Sequence, residues 1–325
     1  MSSIQANCLS EFMLNYCELI NPSDVNDYKL IDGFIPNLYF ILGIKKYYFS
    51  NDTKIIDKKN GKLFVKLESE DGEIIECNWT VVDQEKNLFK NLKMEISMDK
   101  RVMIVNDVDK YPVDYFYLNN LDIIPKFRIL YIGQAFGGSK NKRNAIDRLK
   151  NHDKLQKILA DCISSKLKYD VKILLLDLNQ LDLFTTLGKK EDSHYELEFE
   201  NNFYEDFPSK AQMINIVEAL LINYFKPEYN RDFAKGAVPS LSHSSYNEFY
   251  RKQYESILIN LQKLGDIELY TDVRTIFPIQ EFVRGKILAN NNAQEFISNS
   301  LKMERRIEWL NIVIILVANL RWLLV

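Results

Sequence analysis

Arg148 and His152 stand four residues apart, and Glu218 is the only acid between Phe207 and Pro227. On a helix the first two share a face. That face also carries Leu149, Leu155, Leu159 and Cys162, while Lys150, Lys154 and Lys157 fall on the other side. An inward arginine and histidine need polar partners, because an unpaired buried charge is costly. Glu218 lies in MINIVEALLINYF, whose polar stripe is Gln212, Asn215 and Asn223. It falls off that stripe, among Ala211, Ile222 and Phe225. A carboxylate there calls for a cation, either a core arginine such as Arg148 or a metal ion. An arginine fork, a metal-binding carboxylate and a proton-carrying ring are what phosphodiester hydrolysis requires.

These residues belong to an ordered set. Tyr131-Ile132-Gly133 ends an expected strand, and Gln134 and Gly137-Gly138 lead into the Arg148 helix. An earlier expected strand carries Tyr115 and Tyr117 on one side, since strand side chains alternate. The segment KPEYN, ending at Asn230, follows the Glu218 helix. From Gly138 to Lys157 there are seven basic residues and two acids, a local excess of positive charge suited to a phosphate backbone.

The set resembles the GIY-YIG nuclease superfamily over residues 109–235. Tyr131-Ile132-Gly133 matches the YIG half, and Val113-Asp114-Tyr115 resembles the GIY half with only its tyrosine kept. Arg148 and His152 match the arginine-histidine helix, Glu218 the metal-binding glutamate, and Asn230 the asparagine of the following loop. The resemblance implies a metal-dependent endonuclease acting on nucleic acid, DNA rather than RNA, in a setting such as restriction or phage defence. It implies a catalytic set of Tyr115, Tyr131, Arg148, His152, Glu218 and Asn230. Glu218 would hold Mg²⁺ (or Mn²⁺), Arg148 the scissile phosphate, and Tyr115 or Tyr131 would accept a proton with His152 orienting or relaying it. Tyr117, Gly133, Gln134, Lys140, Lys142 and Arg143 would border the substrate. The competing reading is an inactive nucleic-acid-binding or protein-interaction module on the same fold.

The elements that must position this set read as α/β (α+β). A central three-stranded sheet flanked by helices occupies 109–235, with strands at Val113–Leu118, Phe127–Ile132 and Val171–Leu178. Helices are expected from Arg143 to Ile163 and from Pro208 to Phe225. Residues 1–108 form a β-rich, mixed region in which Asn60-Gly61 and Asp71-Gly72 mark hairpins and Phe12 to Ile20 suits a helix. Residues 236–325 read as mainly helical, with Ile257, Leu258, Leu261 and Leu264 at helical spacing. Glu191–Asp206 carries seven acids without a lysine or arginine and reads as a solvated insertion. The apolar run from Trp309 to Val325 reads as a buried or homodimer-forming helix rather than a membrane contact. A formal charge of −3, four cysteines in no Cys-x-x-Cys pair and the lack of a leader segment fit a cytoplasmic protein without a zinc cluster.

Overall fold

The computed structural model describes residues 7–29, 31–81, 92–134, 145–164, 166–185, 209–230, 254–261, 264, 267–276, 281–287 and 296–302. Its strands are β1 (Asn7–Ile20), β2 (Leu38–Lys45), β3 (Tyr47–Phe49), β4 (Lys54–Asp57), β5 (Lys62–Ser69), β6 (Ile74–Thr80), β7 (Met94–Ile96), β8 (Val102–Val105) and β9 (Asp109–Pro112). They continue with β10 (Lys126–Gln134), β11 (Tyr169–Thr185), β12 (Tyr254–Asn260), β13 (Glu268–Tyr270), β14 (Thr275–Ile276), β15 (Glu281–Ile287) and β16 (Phe296–Lys302). Its α-helices are α1 (Val113–Leu118), α2 (Ala145–Leu149), α3 (Asp153–Ile163) and α4 (Lys210–Phe225).

One mixed sheet dominates, in the order β14-β13-β10-β2-β11-β1-β12-β15-β16. At its centre β2 is antiparallel to both β10 and β11. β2 is buried along nearly its whole length, as a central strand covered on both faces must be. Between β2 and β10 the chain builds two smaller sheets, β3-β5-β4 with β6 on β5, and β7-β8-β9. The Asn60-Gly61 and Asp71-Gly72 turns join β4 to β5 and β5 to β6, with φ of +64° and +87° at the glycines. One apolar cluster joins this insertion, α1 and α4 to one face of the main sheet. A second packs α2 and α3 on the other face, around Tyr39, Ile41 and Leu175.

This architecture corrects the expected three-stranded sheet flanked by helices. The 17-residue β11 leaves a long hydrogen-bonding edge beyond β2, and β1 covers it from Asn7 to Ile20. So Phe12–Ile20 is strand, not helix. β12 then adds parallel to β1, and β15 and β16 continue the sheet. The expected helical C-terminal region is therefore strand wherever it is described through these elements; Ile257, Ile259 and Leu261 are buried at the spacing of two that a strand demands. Val113–Leu118 is a short helix rather than a strand. The acidic stretch 191–206 and the apolar run 309–325 lie outside the described residues. Among those described, no helix is long and apolar enough to cross a membrane.

α1 carries Tyr115 into the insertion, where its ring packs on Trp79 and Tyr111, each 5.3 Å between ring centres. Tyr115→Phe should leave thermal stability unchanged, whereas Tyr115→Ala should cost about 1–3 kcal/mol in denaturant titration through lost packing.

Candidate active site

Tyr131-Ile132-Gly133 meets a tyrosine that the sequence reading did not select. Gly133 on β10 pairs directly with Tyr39 on β2. A Cβ on Gly133 would sit 2.5 Å from the Tyr39 hydroxyl oxygen and 2.7 Å from the Tyr131 ring. Only glycine admits the Tyr39 ring across the strand there. The ladder also carries a bulge, because Ile129 pairs with Leu42 while Tyr131 pairs with Ile41. The extra residue, Leu130, rotates Tyr131 onto the Tyr39 face. The Leu130 carbonyl accepts from Tyr229 N–H at 3.1 Å.

His152 completes an aromatic group. Its ring centre is 5.7 Å from Tyr39 and 5.0 Å from Tyr131. The expected single helix is broken here: α2 ends at Leu149, and His152 is the N-cap of α3. Its Nδ1 accepts from Leu155 N–H at 3.2 Å. The neutral ring must then carry its proton on Nε2, which lies 3.1 Å from the Tyr39 hydroxyl. Burial, and next the Arg148 charge, pull the His152 pKa down to about 4, so the ring is neutral near pH 7. It donates Nε2–H to the Tyr39 oxygen. Burial pushes the Tyr39 hydroxyl well above the usual phenol range, and Arg148 opposes this.

Glu218 reaches the group from the opposite face of the sheet. Its Oε1 accepts from Gln134 N–H at 3.0 Å, at the end of β10. Burial raises its pKa to about 7 against the pull of Arg148 and of that N–H. Among the described residues no cation stands within 4 Å of this carboxylate. Arg148 itself is exposed, not inward as its helical spacing predicts, because α2 stops one residue later. Its charge is nonetheless felt at Tyr39, His152 and Glu218, so it lies within electrostatic reach of them.

Asn230 works from beneath. Its Oδ1 accepts from Ile132 N–H at 2.8 Å and its Nδ2 donates to Ile132 C=O at 2.7 Å. Buried and bonded through both its amide atoms, it holds the strand. Tyr229 fixes the same loop to α3 through Asp161, 2.6 Å away. On the α4 face of the sheet opens a cleft lined by Asn37, Leu38, Leu178, Lys210, Ile214 and Val217.

The structure thus brings Tyr131, Gly133, Gln134, Arg148, His152, Glu218 and Asn230 together. It does not bring Tyr115 or Tyr117 to them. Tyr117 is buried, stacked on Tyr47, and accepts from Lys126 N–H. Lys126 is the far end of β10, roughly 27 Å along the strand from Gln134. The tyrosine beside Tyr131 and His152 is Tyr39. Lys140, Lys142 and Arg143 lie outside the described residues. No family model, curated protein or solved structure matches the chain.

The cap and the Tyr39 contact of His152 can be separated. His152→Ala should lose about 1 kcal/mol of capping besides its ring contacts. His152→Asn, a good cap, should recover the capping part in denaturant titration but not the Tyr39 hydrogen bond. An equal stability loss in both variants would remove the capping role.

Proposed function

We propose that the protein is a metal-dependent endonuclease of the GIY-YIG type that hydrolyses phosphodiester bonds of nucleic acid, DNA rather than RNA. The observation that carries this reading is the convergence of Tyr39, Tyr131, His152, Arg148 and Glu218 at one end of an antiparallel trio, β10-β2-β11. An inactive module would have been favoured by Glu218 neutralised in a salt bridge, and none is found among the described residues.

The fit of a metal rests on Glu218. A largely buried carboxylate with no cation within 4 Å among the described residues is stabilised by one. Among the described residues no three His, Cys, Asp or Glu side chains gather to hold one. A single protein ligand suits Mg²⁺, which keeps most of its waters. When bound, Mg²⁺ would stabilise charge on the phosphate and lower the pKa of a coordinated water. Glu218 would hold it through the oxygen left free by Gln134. Arg148, exposed, would grip the scissile phosphate with its fork and offset the growing charge. Tyr39 is the proton acceptor of the pair: the His152 Nε2–H already bonds its oxygen and would stabilise the phenolate. Burial keeps Tyr39 a phenol at rest, so it ionises only when positive charge is assembled around it. Tyr131, half-buried, borders the same space.

Cleavage of plasmid, single-stranded DNA and RNA with Mg²⁺ tests the proposal. Tyr39→Phe, Arg148→Ala and Glu218→Gln should each lose at least about 100-fold in rate, while Tyr115→Phe cuts normally. Equal residual cutting by all of them would sink the assignment.

The metal has a signature apart from activity. The Glu218 pKa, about 7 when folded, is raised above its ordinary 4.5. Between those values the folded state binds the extra proton, so metal-free stability falls as pH rises through that window and stays lower above it. Glu218→Gln removes this penalty and should be up to about 3 kcal/mol more stable than wild type at about pH 8, with no difference below about pH 4.5. Mg²⁺ should stabilise wild type alone. Its apparent affinity should fall about tenfold per pH unit below about pH 7, because the ligand must be deprotonated. A pH-independent Mg²⁺ response, or an equal one in Glu218→Gln, would remove the metal from Glu218.

A further inference from the structure

A second bulge turns two more side chains toward the Tyr39 face. In the pairing of β1 with β11, Leu14 opposes Leu178 and Tyr16 opposes Asp177, so Asn15 is the extra residue. A bulge bends its strand and re-aims side chains, often next to active sites. The contacts show where these two point. Asn15 Nδ2 donates to Asp177 Oδ2 at 3.2 Å. The Tyr16 ring packs edge-on against Phe34, 4.8 Å between centres, and Phe34 belongs to the cluster that contains Tyr39. Leu175 is the β11 partner of Tyr39, and Asp177 follows two positions later on the same face.

The chemistry of this strip is specific. Asp177 is 5% exposed, yet among the described residues its carboxylate has only the amides of Asn15 and Asn37 as hydrogen-bond donors, the latter at 3.4 Å. Asn37 is held in turn by both backbone groups of Leu178. The fixed carboxylate orients the exposed Asn15 amide, leaving its carbonyl and one N–H for another partner. Tyr16 is 43% exposed and offers a ring face. Asn15, Tyr16, Asn37 and Asp177 include a ring, amides and a carboxylate but no cation. That set repels a phosphate and suits a base, through stacking on the ring and hydrogen bonds from the amide. Tyr16 lies two strands from Tyr39, roughly 10 Å at about 4.8 Å per strand. That is about three nucleotide steps of a duplex strand.

We infer that Asn15 and Tyr16 hold a nucleobase that flanks the cleaved bond, Tyr16 by stacking and Asn15 by hydrogen bonding to its edge. The position relative to the cut rests on the nuclease reading; the base contact itself does not. An abasic scan tests it. Short oligonucleotides, each lacking one base, are assayed for kcat/KM with wild type, Tyr16→Ala, Tyr16→Phe and Asn15→Ala. The same oligonucleotides are titrated by fluorescence anisotropy against Glu218→Gln, alone and combined with Tyr16→Ala. Removing the base at one position within about three nucleotides of the cut should cost wild type about tenfold. Tyr16→Ala should lose that factor on intact substrate and nothing more on the abasic one, Tyr16→Phe should behave as wild type, and Asn15→Ala should fall between. If Tyr16→Ala cuts yet stays as sensitive to the missing base as wild type, the inference is overturned while the nuclease reading stands. If wild type cuts nothing, the nuclease reading fails and anisotropy decides. A tenfold base dependence that disappears with Tyr16→Ala upholds the contact, and its absence overturns it.

Discussion

The Tyr39 ring lies across a residue with no side chain, and the rest of the site follows from that approach. Gly133 must face Tyr39 in register, with no atom where a Cβ would be. The Leu130 bulge then places Tyr131 on the same side, and the loop after α4 closes over the irregular stretch. Tyr229 takes up the Leu130 carbonyl and Asn230 takes both backbone groups of Ile132. A bulge disrupts its own ladder, and buried backbone groups left unpaired cost about 1–3 kcal/mol each. The asparagine is thus explained by the bulge, and the bulge by the tyrosine that it aims.

Electrostatics in the site is a contest between burial and one arginine. Burial favours neutral Tyr39, neutral Glu218 and neutral His152 alike. Arg148 favours the ionised forms of the two acids and the neutral form of the histidine. Because its head is exposed, water screens that influence, and burial wins at the two acids; at His152 the two act in the same direction. The resting site therefore carries less charge than its residue types suggest. A group kept neutral in a partly dry recess becomes charged only when a counter-charge arrives with it. The neutral histidine is the exception that needs no partner: its cap to α3 fixes the tautomer, and the tautomer fixes which way the hydrogen bond to Tyr39 runs.

The residues of the second half of the site were legible because their chemistry is conspicuous: a lone acid in an apolar helix, Tyr-Ile-Gly closing a strand, an asparagine after Pro227. Tyr39 was not. It sits in LYFILGI, a run buried on both faces, where a tyrosine reads as packing and nothing marks its hydroxyl. Its partners are remote, with His152 lying 113 positions away. Tyr115 was suggested by its resemblance to the GIY half and its Tyr-Phe-x-Leu continuation, but the chain inserted between β2 and β10 carries it away on α1. A seven-residue apolar run after Pro36 was the available signal for a central strand. β1 was missed for a related reason, since its bulge interrupts the alternation that marks a strand. The helix expected through Arg148 and His152 failed because an imidazole can cap a helix as well as ride on one.

A strand as apolar as β2 also poses a problem of register. Alternation specifies register when one face is wet, because a slip of one residue would then expose the core. β2 is covered on both faces, so its burial pattern alone discriminates poorly between registers. Glycine and ring contacts supply what the pattern lacks. At one end Tyr39 crosses Gly133 of β10; at the other, a Cβ on Gly43 of β2 itself would meet the Tyr169 ring of β11 at 2.8 Å. The two contacts engage different neighbours, so a slip of β2 against β10 or β11 drives a ring into a side chain. Site geometry and strand register are in this way set by the same contact at the Gly133 end. A substitution that relaxes it would loosen both together, which is why the site tyrosine belongs on the most buried strand of the sheet rather than on a loop.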